Sequence, residues 1–94
     1  MQTVQINEPL VVSNIVKSKK IFVEMIDAHA APIEFDLQHV DDCDTSGVQL
    51  LLAVCRHAME DKRQISFCNF SEAVDRAFLN TGIRNINDFF TSEQ

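Results

Sequence analysis

The hydrophobic period of the chain changes abruptly in its middle, and that change constrains the fold most. Ile33-Glu34-Phe35-Asp36-Leu37 alternates, placing Ile33, Phe35 and Leu37 on one face of a strand. Residues 47–60 then repeat at helical spacing, with Val48, Leu51, Leu52, Cys55 and Met59 on one face and Leu50, Val54 and Ala58 broadening it. Gln49, Arg56 and Glu60 mark the wet side. A helix with so wide an apolar arc must be covered by more than one neighbour, here a sheet and a second helix, or else by a partner protein. Between strand and helix lies Asp41-Asp42-Cys43-Asp44-Thr45-Ser46-Gly47. This turn sets two hydroxyls, Thr45 and Ser46, where unpaired N–H groups at a helix beginning can receive a phosphate or a partner.

The flanking segments extend the same alternation of elements. Thr3-Val4-Gln5-Ile6 and Leu10-Val11-Val12 read as two short strands around the turn residues Asn7-Glu8-Pro9. From Asn14, Ile15, Phe22, Ile26 and His29 recur at helical spacing, with Ser18 filling a gap in the stripe. Ser13 or Asn14 is the expected cap, and Ala31-Pro32 the stop. After a polar return at 61–64, Ile65-Ser66-Phe67-Cys68 is another strand. Asn69 or Ser71 then caps a helix bearing Val74, Ala77, Phe78 and Thr81 on one face. Gly82 supplies its left-handed end, with Ile83 folding back on Phe78. Residues 86–90 read either as a final edge strand or as a short packed segment. The order β-β-α-β-α-β-α predicts an α/β fold: a single small domain over 1–94, with a mixed central sheet of about four to five strands and helices packed on one side.

Ninety-four residues with 46 % hydrophobic and 23 % charged content suit one compact core. Fourteen acidic against eight basic residues give a net charge of -6, which repels nucleic acid and anionic membrane surfaces. No apolar run approaches the ~20 residues of a membrane helix. Three cysteines without a CxxC pair and an N-terminus without a secretory pattern point to the cytoplasm. Cys43 reads as an exposed thiol, Cys55 and Cys68 as core. An enzyme is the weakest class, since Gly47 and Gly82 are the only glycines and no Ser/His or Cys/His pairing is supported by local spacing. No cofactor or metal is expected: Asp41 and Asp42 read as a solvated loop, and His39 with Cys43 falls short of a zinc set. The Phe89-Phe90 tail either packs on the sheet or forms part of a homodimer contact.

Phe35-Asp36-Leu37, Val40-Asp41 and Asp44-Thr45-Ser46-Gly47-Val48 with Leu50-Leu51-Leu52 closely resemble the STAS domain, the module of bacterial anti-sigma factor antagonists. Asn69-Phe70-Ser71-Glu72-Ala73-Val74 and Leu79-Asn80-Thr81-Gly82-Ile83 are similar to that family's second signature. The resemblance implies a signalling switch in which a cognate kinase phosphorylates the serine before the glycine, here Ser46, and binds the unphosphorylated form. In lipid-transport relatives the preceding threonine, here Thr45, is the critical hydroxyl. The early first helix looks more like the small STAS proteins associated with chemotaxis operons. The resemblance also implies a protein-interaction surface of Asp44, Thr45, Ser46, Gly47 and Gln49 facing a serine kinase of the anti-sigma type or a chemotaxis regulator. The alternative is a non-phosphorylated STAS subunit of a lipid-transport ATPase complex.

Overall fold

The computed structural model describes residues 2–29 and 32–82. Its elements are β1 (Gln2–Gln5), a 3-10 turn (Val12–Asn14), α1 (Ile15–Ala28), β2 (Ile33–Asp36), α2 (Thr45–Glu60), β3 (Ile65–Cys68) and α3 (Glu72–Thr81). Among the described residues the sheet has three strands in the order β1-β2-β3, all parallel, rather than the mixed four to five expected. Phe35 sits level with Val4 on one side and Phe67 on the other.

The missing strand has a local explanation. Leu10 makes a single parallel bridge to Cys43, and the chain then tightens into the 3-10 turn instead of extending through Val12. β-branched composition at Val11-Val12 suggests a strand, but Leu10 alone in that run has a pairing partner. The expected strand at 86–90, the Ile83 contact and the Phe89-Phe90 packing lie outside the described residues.

Alternation in β2 and β3 is as expected: Ile33, Phe35, Ile65 and Phe67 are buried, while Glu34, Asp36, Ser66 and Cys68 are half-buried on the opposite face. The parallel pairing requires a helical crossover between successive strands, so α1 and α2 run in the same sense beside one another. The Phe22 ring of α1 stands edge-on to Phe35 with centroids 4.9 Å apart, and Phe35 stacks on Phe67 at 5.8 Å. Such aromatic pairs add about 0.5–1.5 kcal/mol each beyond their buried area.

In α1 the buried face is Ser18, Phe22 and Ile26. Ser18 is the one buried polar side chain among the described residues, and its hydroxyl is satisfied: it donates to the Pro9 carbonyl at 3.2 Å and accepts from the Asn14 amide at 3.2 Å. Asn14 occupies the cap position but does not cap; its amide instead donates to the Pro9 carbonyl and the Glu8 carboxylate. In α2 the core face is centred on Gly47, Leu50, Leu51, Val54 and Ala58, flanked by Val48 and Cys55. Met59, placed by periodicity on the buried face, is exposed, and Leu52 is half-buried. The arc is as wide as its spacing predicts, but its centre lies on the residues that periodicity assigns to the margin. Ser71 caps α3 by accepting from Val74 N–H at 3.2 Å, and Gly82 ends it with φ 80°.

Candidate functional site

The turn between β2 and α2 is held in place by the N-terminal segment of the chain. Leu10 N–H donates to the Asp42 carbonyl at 2.9 Å, and Asp44 N–H donates to the Leu10 carbonyl at 3.1 Å. Asp44 then uses both carboxylate oxygens. Oδ1 accepts from Gly47 N–H at 3.1 Å, which is the helix cap of α2, and Oδ2 accepts from Val12 N–H at 3.1 Å. One side chain thus satisfies an orphan donor of the helix and ties it to the entrance of α1.

Gly47 completes this seat. A Cβ at that position would lie 2.2 Å from the Leu10 carbonyl oxygen and 2.8 Å from Cys43 Sγ. The glycine is required for close approach of two backbones, not for an unusual dihedral angle. It is buried, so it shapes the turn from beneath.

With Asp44 as the cap, Thr45 and Ser46 become the first two residues of α2, which begins two residues earlier than the periodicity indicates. Capping by either hydroxyl, the simplest account of a Thr-Ser pair at this place, does not describe the structure. Thr45 is exposed and Ser46 half-buried; Gln49 is exposed one turn on. The two hydroxyls differ in surroundings. Thr45 lies on a groove of about 290 Å³ between the turn and α3, shared with Asp41, Asp42, Asp44, Arg76 and Asn80. Arg76 brings a cation to this acidic groove, where its guanidinium is paired with Glu72 of the same helix. On the other flank, the Asp44–Val12 tie brings the first turn of α2 next to the start of α1, where Val12 and Val16 are 66 % and 81 % exposed. The two apolar side chains stand one helical turn apart on this flank.

Cys43 is half-buried instead of exposed, and its thiol is pushed up to about 11 by burial first and then by Asp44 and Asp42. Burial pushes Cys55 up to about 12; Cys68, half-buried, is raised to about 11 by burial and then by Glu34 and Asp36. None is a poised thiolate.

The alternating order of strands and helices, the capped hydroxyl turn and the closing Gly82 agree with a direct comparison: the STAS domain family model matches residues 2–94. The chain belongs to the STAS family. STAS domains are anti-sigma factor antagonist-like or sulfate-transporter-type modules that typically mediate protein–protein contacts. No curated protein matches this STAS chain. Among its described residues, no helix is long and apolar enough to cross a membrane.

One grouping escapes the sequence. His39 and Cys43, the close pair along the chain, are not brought into a ligand cluster among the described residues, whereas Asp27, His57 and Asp61 are. His57 and Asp61 sit one turn apart and can be paired from spacing, but only the crossover places the last turn of α1 beside them.

Proposed function

We propose that this STAS protein is a bacterial, cytoplasmic, phosphorylation-controlled interaction module of the anti-sigma factor antagonist type, and not an enzyme. Its partner is a serine kinase of the anti-sigma type or a chemotaxis regulator, and Ser46 is the switch residue. The observation that carries this reading is the capping of α2 by Asp44, which frees Thr45 and Ser46 from that structural duty at an accessible helix start. Val12 and Val16 supply apolar contact beside them.

A phosphate on Ser46 adds about -1.5 to -2 charge at pH 7 next to Asp41, Asp42 and Asp44. The helix N-terminus offsets part of this through its dipole and N–H groups, so the fold survives. A docked partner meets a denser negative surface and loses contact area to the phosphate, so the complex weakens. Intact-mass analysis of protein from its native cell, with fragmentation to locate the group, tests the switch: a stoichiometric phosphate at Ser46 or Thr45 supports it, and an unmodified chain under all growth conditions removes it. The greater exposure of Thr45 favours a second reading, a non-phosphorylated STAS subunit that docks on a lipid-transport ATPase through Thr45. Co-purification with such an ATPase, abolished by Thr45→Arg, would select that reading.

A further inference from the structure

At the opposite end of α2 from Thr45 and Ser46, His57 Nε2 faces two carboxylates: Asp27 Oδ1 at 3.4 Å and Asp61 Oδ2 at 3.6 Å. All three ligand atoms lie within 4.8 Å of one another. We propose that Asp27, His57 and Asp61 form a binding site for a first-row divalent cation of the zinc type, which braces the ends of α1 and α2.

The distances leave room for an ion between the three groups. A charge-assisted N–H···O bond closes to about 2.7–2.9 Å, and the two contacts here are both longer. Nε2 also carries at most one proton, so it cannot donate fully to two acceptors. Metal–ligand bonds of about 2.0–2.2 Å in tetrahedral array give ligand–ligand edges of about 3.4 Å, close to the two separations observed. One imidazole nitrogen with two carboxylate oxygens is a donor set that zinc, nickel and cobalt accept, with water completing the shell.

Backbone organisation holds the donors in place. His57 and Asp61 are one turn apart at the end of α2, and Asp61 N–H donates to the His57 carbonyl at 3.2 Å. Beyond Asp61 the helix closes by two further bonds, Lys62 N–H to the Met59 carbonyl at 3.1 Å and Arg63 N–H to the Ala58 carbonyl at 2.8 Å. Because α1 and α2 run in the same sense, their C-terminal ends come together, and the negative ends of both helix dipoles favour a cation there. The ligands are exposed or half-buried, so an ion has a direct path from solvent.

Isothermal titration of the full chain with zinc chloride in a non-chelating buffer tests the site. One equivalent should bind with Kd in the micromolar range. His57→Ala, Asp27→Asn and Asp61→Asn should each weaken binding at least tenfold, while His39→Ala leaves it unchanged. Thermal scans of the metal-free variants establish that they are folded. With cobalt, the absorption spectrum should lack thiolate charge-transfer bands, which separates this site from Cys43 or Cys68. Absence of binding up to about 1 mM zinc, the range of weak surface association, wild-type affinity in folded His57→Ala, or a thiolate band would overturn the proposal.

Discussion

Gly47→Ala sets two physical effects of opposite sign against each other. Replacing a glycine inside a helix by alanine ordinarily stabilises by about 0.5–1 kcal/mol. Here the new methyl would stand 2.2 Å from the Leu10 carbonyl oxygen, far inside ordinary contact, and 2.8 Å from Cys43 Sγ. Backbone cannot rotate away as a long side chain can, so Leu10 or the first turn of α2 must retreat. The same Leu10 carbonyl accepts from Asp44 N–H, and the Leu10 N–H and Val12 N–H bonds lie on either side of it. Overpacking costs about 1–3 kcal/mol, and each weakened hydrogen bond about 1 kcal/mol. Set against the helix gain, the net loss is about 2 kcal/mol, or a fall in Tm of roughly 10 °C for a chain of this size. Urea unfolding followed by circular dichroism measures it, and amide exchange should locate the loosening at Leu10, Val12 and Asp44. A variant as stable as the parent, or more so, would refute the close-approach account. Gly82→Ala is the control: nothing lies within 4 Å of a Cβ there, and its cost, about 1 kcal/mol, comes from φ 80° alone.

Asp44→Ala removes the cap and the tie to Val12, and should lower stability by about 2 kcal/mol in thermal unfolding; Asp44→Asn, which keeps an acceptor for one of the two donors, should lose about half of that. Lys62, at φ 57°, sits where the left-handed turn after α2 favours glycine, so Lys62→Gly should raise stability by about 0.5–1 kcal/mol in urea titration. Ser46→Asp should weaken partner binding at least tenfold relative to Ser46→Ala, with both variants retaining the parent circular dichroism spectrum; equal affinities would remove Ser46 from the mechanism. Because Cys43, Cys55 and Cys68 have folded pKa values raised above the ordinary thiol value, their contribution is intact below about pH 9 and is lost as pH rises toward 11 to 12. Tm should therefore fall across that window in the parent and fall less in Cys55→Ala; a parallel decline in both would contradict this.

Periodicity carries β2, β3, α1, α2 and α3 because each buries one face against a common core, and burial leaves its mark residue by residue. It misplaces the segment at Leu10-Val11-Val12 because one bridge and a 3-10 turn have no period to read. Thr45, Ser46 and the turn-holding Asp44 are legible as a special turn, but the reach of Asp44 across the fold is not. Its second partner, Val12 N–H, lies 32 residues away, and no local spacing announces such a bond. Ser18 is visible only as a break in a stripe; the reason for it, the Pro9 carbonyl, is likewise tertiary. The Asp27, His57 and Asp61 cluster requires knowing that the two crossover helices are parallel neighbours.

The anchoring of Leu10 and Val12 against Asp42, Asp44 and Gly47 means that the hydroxyl turn is assembled from two regions far apart along the chain. During synthesis the second region emerges well after the first, and the bonds from Leu10 and Val12 that fix the turn form only when they meet. Any protein that reads the three-dimensional arrangement will consequently meet it only on molecules in which both regions have come together.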